Sequence, residues 1–324
     1  SFPTRRSSDL KACLASSSVD AVDTRLKRDV DILFMIDNSL SMSPKQKVLA
    51  QNIPRFIQKI DATGANYHVG VITSDVGSLP SNSAPPAGWN DPRCNTFTGD
   101  DGALQAQPCT SRTGTGSEFQ TACQNLCPDS RFVPTDGKRY ISKQNGIINV
   151  PSLKDMTGQE LGPQRAFQCM ALVGDGGCGI ESPLEAARRA LDGHLSENSG
   201  FLRDDSVLAV IFITDEDDCS VQMSQRGSNG PMSASCDPSD PSPSPSCFNR
   251  DYRCLARSVQ CNESMSVPGQ KSQCHELSGN FLEPLNNYFS FFNKKRTPDK
   301  LVLAGIWSPS LLAYKAGRST DGNL

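Results

Sequence analysis

The chain has 324 residues, enough for one large domain or two modest ones. Its 32 Lys and Arg against 35 Asp and Glu leave a formal charge of −3, without the basic excess that phosphate-backbone binding needs, so nucleic acid is not an expected partner. The longest uninterrupted apolar runs, Val207–Ile213 and Leu301–Trp307, fall far short of the roughly 20 residues of a membrane-spanning helix, so no transmembrane segment is expected.

Residues 1–28 read as a leader or linker. Ser1–Leu10 resembles translated sequencing-adapter readthrough and is set aside from fold reasoning. Cys13 stands where a bacterial lipoprotein carries its lipid: Ala12 suits the position before it, Lys11 does not, and an ordinary free or paired cysteine is the other reading. Val30–Asp37 is a short apolar run ending in an acid, the pattern of a strand buried on both faces. Ser43-Pro44-Lys45-Gln46 predicts a capped helix start with a capping-box glutamine, followed by an apolar stripe through Val48, Leu49, Ile53, Phe56, Ile57 and Ile60. Pro54 deletes a backbone donor inside that helix and predicts a kink. Tyr67–Thr73 reads as the next strand. From Gly77 to about Gly162 the pattern dissolves, with strand-like pieces at Arg139–Ser142 and Gly146–Val150. A helical stretch follows from Pro163 through Phe167, Met170 and Leu172. Ser182-Pro183-Leu184-Glu185 is a second capping box, opening a helix expected to bury Leu184, Ala187 and Leu191. Val207–Thr214 is the strongest strand and again ends in an acid, Asp215. After an irregular stretch from Ser220 to His275, a helix around Leu277–Lys294 and a strand at Lys300–Trp307 complete the pattern.

Strands alternating with helices predict an α/β fold with a doubly wound, mostly parallel open sheet. The expected organisation is a single domain over residues 29–324 with cysteine-rich insertions at about 77–162 and 220–275. Asp321–Leu324 follows a buried-type strand without a closing element, so the C-terminal elements are expected to be truncated.

Thirteen cysteines point to an oxidising compartment, with about six disulfides. Zinc would want paired Cys-x₂₋₄-Cys ligands, and only Cys123 and Cys127 have such a spacing. The cysteines divide by position: Cys94, Cys109, Cys123 and Cys127 in the first insertion; Cys219, Cys236, Cys247, Cys254, Cys261 and Cys274 in or at the mouth of the second; Cys169 and Cys178 as a local pair; Cys13 left over. Connectivity within the two larger groups stays open.

Asp37-Asn38-Ser39-Leu40-Ser41 directly follows the first strand. In a doubly wound sheet, residues just past the strand ends line the crevice where strand order reverses. One carboxylate and two hydroxyls aimed at a common point are hard oxygen ligands, suited to Mg²⁺ or Ca²⁺, and Asp215 would add a second carboxylate from the other strong strand. Here the sequence resembles the von Willebrand factor A family and its metal-ion-dependent adhesion site, over the regular segments and not the insertions. The sequence resembles the cysteine-rich members of myxobacteria-like Gram-negative bacteria, many of them predicted lipoproteins. The resemblance implies an open sheet with a metal held by Asp-x-Ser-x-Ser after the first strand, a threonine from a middle loop and an aspartate after the fourth strand. Asp37, Ser39, Ser41 and Asp215 match; where the threonine would stand, the sequence has Glu181, which is expected to join them as a metal ligand, a plain loop acid being the other reading. The implied activity is binding of a protein or glycan partner whose acidic group completes the cation's coordination, outside the cytoplasm and without catalysis.

Bland readings accompany each residue. Ser39 and Ser41 would serve equally as turn residues feeding the Ser43 cap. Asp215, with Glu216, Asp217 and Asp218, would form a solvated acidic loop or, for the last two, a second cation site. Asp75 reads as a cap. Gly174-Asp-Gly176-Gly-Cys-Gly179 has dinucleotide spacing but lacks the preceding strand that fingerprint needs. Two other functions stay open: a metal-dependent hydrolase using the strand-end acids, and an envelope protein whose metal only ties loops together. An aspartyl-phosphate nucleophile at Asp37 is disfavoured because Ser39 stands where those enzymes resemble Asp-x-Asp.

Overall fold

The computed structural model describes residues 29–79, 92–94, 97–112, 114, 116–225, 259–264, 269–277, 281–307 and 315–316. Cys13 and its leader, Cys236, Cys247, Cys254 and the C-terminal residues 317–324 lie outside the described residues, and so do the expectations attached to them.

Six strands form one sheet. They are β1 (Val30–Ile36), β2 (Tyr67–Thr73), β3 (Ile141–Gln144), β4 (Ile147–Ile148), β5 (Val207–Ile213) and β6 (Leu301–Ile306), in the order β4-β3-β2-β1-β5-β6. β1 pairs parallel with β2 on one side and β5 on the other, and β5 pairs parallel with β6. β3 and β4 add an antiparallel edge. The four long strands fall within a residue of their sequence limits because each is a largely apolar, β-branched run. β1 and β2 are buried along their length and β5 partly, but β6, expected as a buried-type strand, is corrected: it is the sheet edge, and Val302, Leu303 and Ile306 are exposed among the described residues.

Helices cover both faces. Along β1, Ile32, Phe34 and Ile36 point to one core, built with Ile53 and Ile57 of α1 (Ser43–Thr63) and Ala166, Phe167 and Met170 of α3 (Gly162–Met170). Leu33 and Met35 point to the other, built with Ala186, Ala187 and Leu191 of α4 (Pro183–Leu191) and Tyr288 and Phe292 of α5 (Leu285–Lys295). A further helix, α2 (Ser117–Leu126), lies in the first irregular stretch, where none was expected. Leu184, expected inside, is only partly buried. α5 starts later than expected because Pro284 precedes it: proline clashes with a helical residue before it, so the helix opens at Leu285.

Both capping boxes are corrected. At α1 the cap position is Met42, and the Ser43 hydroxyl accepts the Phe119 backbone N–H of α2 at 2.7 Å, while Gln46 reaches the carbonyls of Asp37 and Gly174. At α4 the Ser182 hydroxyl donates to the Cys219 carbonyl and Glu185 binds Arg188 and Arg189. In each case a tertiary partner takes the side chain that local spacing assigned to the helix end. The local pair of Cys169 and Cys178 is also corrected. Cys169 bridges Cys127 and Cys178 bridges Cys94, while Cys109–Cys123 and Cys261–Cys274 close within their own stretches. Cys169 faces a small core with Phe119 and Ala122 of α2; Cys178 faces another with Ile180 and Phe281. Cys127–Cys169 and Cys94–Cys178 therefore tie the first irregular stretch to the framework. Cys219 is also disulfide-bonded.

Candidate functional site

β1 sits where strand order reverses, with β2 to one side and β5 to the other, and its C-terminal end opens the crevice. The parallel pairing continues past the strand, since the Asp37 N–H donates to the Ile213 carbonyl at 2.9 Å. Gln46 holds the same residue from below, donating to the Asp37 carbonyl at 3.0 Å and the Gly174 carbonyl at 2.6 Å. The Asp37 carboxylate is fully buried. Its Oδ1 accepts the Ser39 N–H at 2.8 Å and its Oδ2 accepts the Thr214 hydroxyl at 2.7 Å.

Four of the five sequence-predicted residues form one hydrogen-bonded chain. The Ser39 and Ser41 hydroxyls are 3.1 Å apart, and Ser41 donates to Asp215 Oδ1 at 3.0 Å. With its proton committed to Asp215, Ser41 accepts from Ser39. Asp215 Oδ2 in turn accepts the Lys45 ammonium at 2.5 Å.

Glu181, the fifth, approaches from the loop before α4. Its backbone carbonyl accepts the Cys219 N–H at 2.7 Å, which fixes that loop to the one after β5. The side chain is 2% exposed, and its Oε1 has no hydrogen-bond partner. Burial, then the neighbouring Asp37 and Glu216 carboxylates, push the Glu181 carboxyl well above its ordinary range, and it shares a hydrogen bond with Glu216. Burial likewise raises the Asp37 carboxyl; hydrogen bonds from Thr214 and Ser39 offset this only in part, and Asp215 adds to the rise. Two buried acids thus lie together with no cationic side chain against either among the described residues.

Sequence reasoning missed Thr214, Lys45 and Glu216. Thr214 was legible only as a strand end, and Lys45 only as a helix residue. Asp218 does not belong to an exposed acidic loop: half-buried, it accepts the Leu184 N–H at the start of α4 and the Ser220 N–H, and burial pushes its carboxyl up to about 6. Asp75 closes a tight turn by accepting the Gly77 N–H. The glycine-rich loop follows a helix, α3, and packs against the site. A Cβ on Gly177 would stand 2.3 Å from the Asn38 side-chain oxygen, so any side chain here would have to displace Asn38 from the Asp-x-Ser-x-Ser turn.

Among the described residues, no three His, Cys, Asp or Glu side chains converge as a metal centre. The linked set here combines two carboxylates with two hydroxyls. No family model and no curated protein matches the chain. Among solved structures, one similar chain is the pilus adhesin RrgA from Streptococcus pneumoniae, 15% identical with a TM-score of 0.24. The match covers 59% of this chain and 21% of the adhesin, so the chain spans about a fifth of that protein's length. A score this low carries no weight for fold or function.

Proposed function

We propose that the chain is an extracytoplasmic von Willebrand factor A domain that binds a protein or glycan ligand through a divalent cation, and that it is not an enzyme. One observation carries the reading: two buried carboxyls, Asp37 and Glu181, lie beside a chain of hydroxyl and carboxylate oxygens, and Glu181 Oε1 is left without a partner. Buried acids ordinarily find a compensating charge or a full set of donors, and oxygen donors suit Mg²⁺ or Ca²⁺. Asp37, Ser39, Ser41 and Asp215 would hold the ion, with Glu181 beside Asp37. A cation held there would let an acidic group of the partner complete its coordination. The protein's own part is positioning: the β1–β5 pairing sets the spacing of the two strand-end loops, and Gln46 and Thr214 orient Asp37. Disulfides and the absence, among the described residues, of a helix able to cross a membrane support a secreted, periplasmic or surface-tethered protein.

Calorimetric titration of Mg²⁺ and Ca²⁺ into the wild-type protein, Glu181→Thr and Asp37→Ala tests the reading. Glu181→Thr is expected to weaken cation binding and strengthen capture of acidic ligands, because it removes a like charge that competes with the ligand carboxylate. Asp37→Ala is expected to abolish both. Ligand capture should vanish in EDTA, and phosphatase and esterase screens should be blank. Unchanged cation affinity in Glu181→Thr would make Glu181 a loop acid only, and capture that persists in EDTA would favour a structural envelope role.

A further inference from the structure

Lys45 is the one side chain that brings positive charge to this acidic crevice among the contacts described above. It lies one helical turn beyond Ser41, where its ammonium donates to the Ser41 carbonyl at 3.1 Å and to Asp215 Oδ2 at 2.5 Å. The other Asp215 oxygen accepts Ser41, whose hydroxyl also lies 3.5 Å from Glu216 Oε1. Lys45 therefore grips both residues that would supply the outer half of the cation's oxygen shell. Asp37 and Glu181, deeper in, receive no ammonium or guanidinium. The Lys45 side chain is 48% exposed, so leaving Asp215 for water costs it little, whereas Asp215 is only 15% exposed.

We propose that Lys45 is a built-in competitor of the divalent cation: its ammonium holds Asp215 in place when no ion is bound and withdraws into solvent when one enters. The inference rests on the cation-binding reading above and adds a regulatory residue to it. It follows from charge and reach. An ammonium and a divalent ion seek the same carboxylate oxygen, and the half-exposed, unbranched lysine stem can relocate its charge without disturbing α1. Binding is then an exchange of one cation for another, weaker than the oxygen set alone would give.

The test uses the whole chain and the metals alone. Calorimetric titration of Mg²⁺ and of Ca²⁺ is run on the wild-type protein, Lys45→Met and Lys45→Arg, alongside mass-spectrometric measurement of how fast an amine-reactive reagent labels Lys45 with and without each metal. Lys45→Met should bind the cation at least about threefold more tightly, the scale of a partly exposed ion pair. Lys45→Arg, which keeps the charge, should stay near the wild type, and Lys45 labelling should accelerate when metal is added. Equal affinity in the wild type and Lys45→Met, or labelling indifferent to metal, would overturn the competitor role while leaving the cation reading standing. Binding in Lys45→Met but none in the wild type would uphold the competitor role and overturn cation-dependent function of the natural chain. No binding in either would overturn both.

Discussion

Asp31 and Asp37 stand at opposite ends of β1, both fully buried, and differ in what answers their charge. Asp31 receives the Arg203 guanidinium at 2.8 and 2.6 Å and the Ser206 hydroxyl, with His68 at 3.5 Å. Asp37 receives hydroxyls and one amide. Removing one member of a buried ion pair strands the other and costs about 3–5 kcal/mol. Arg203→Met is expected to lose about that much stability in urea denaturation, whereas Asp37→Asn in EDTA is expected to be neutral or stabilising, since it removes a charge that burial already disfavours. A loss in Asp37→Asn as large as in Arg203→Met would mean that Asp37 is compensated as fully as Asp31. His194 offers a test of the opposite sign of charge. Burial pulls its pKa down, but its two ring nitrogens contact Asp192 and Asp101, and the net shift is upward. A cation with a raised folded pKa stabilises fully below its unfolded value of about 6.5, and that contribution fades as pH climbs through the folded value. His194→Asn should therefore be less stable than the wild type below about pH 6, by no more than about 1 kcal/mol at so exposed a site, and indistinguishable by about pH 9. An equal deficit at both pH values would trace the effect to packing.

At the scale of elements, α1 runs through Pro54 as one helix because another helix repairs the damage. Pro54 cannot donate to the Ala50 carbonyl one turn back, and Gln168 of α3 donates to it instead at 2.9 Å. Gln168→Leu should cost about 1–3 kcal/mol by stranding that buried carbonyl. In a Pro54→Ala background, where the helix bond is restored, the cost should fall below about 1 kcal/mol. Equal costs in the two backgrounds, read in a double-mutant cycle, would assign the loss to packing. Such exchanges mark the boundary of what the sequence discloses. β1, β2 and β5 were legible because a strand in the middle of the sheet writes itself as an apolar run, β6 because its edge position carries the same kind of run although it is exposed, and Asp37, Ser39, Ser41 and Asp215 because they follow the central runs directly. Ser43, Gln46 and Ser182 misled because a cap signal is local while their partners, Phe119, Gly174 and Cys219, are distant. α2 was hidden although Phe119, Ala122, Cys123 and Leu126 stand at helical spacing, because only ten residues in a polar, cysteine-rich stretch carry the pattern and their packing comes from two disulfides and from α1. Thr214 and Lys45 could not be assigned to the site before the parallel pairing of β1 and β5 was known.

For the whole molecule, three of the bridges are nested. Cys94–Cys178 closes a separation of 84 residues, and within it lie Cys109–Cys123 and Cys127–Cys169, with separations of 14 and 42. Loop-closure entropy assigns about 4.5 kcal/mol to a free loop of the outer size, but the inner bridges shorten the path around it, so replacing Cys94 and Cys178 by Ala should cost about 3.5 kcal/mol while they are intact and more once they are gone. Denaturation of the four combinations checks this; a constant cost would mean that strain, not chain entropy, sets the bridge's value. The order of the sheet has a consequence of another kind, in time. Asp37 and Thr214, which meet at the ends of the paired central strands, are 177 residues apart in the chain. At a synthesis rate of roughly 5–20 residues per second, β1 waits roughly 10–35 s after it is made before β5 exists, with β2 on one edge and nothing to pair with on the other. The strand that carries the first acid of the site is thus left longest without its neighbour in the nascent chain, and it is the stretch whose open apolar edge a holding chaperone would have to cover.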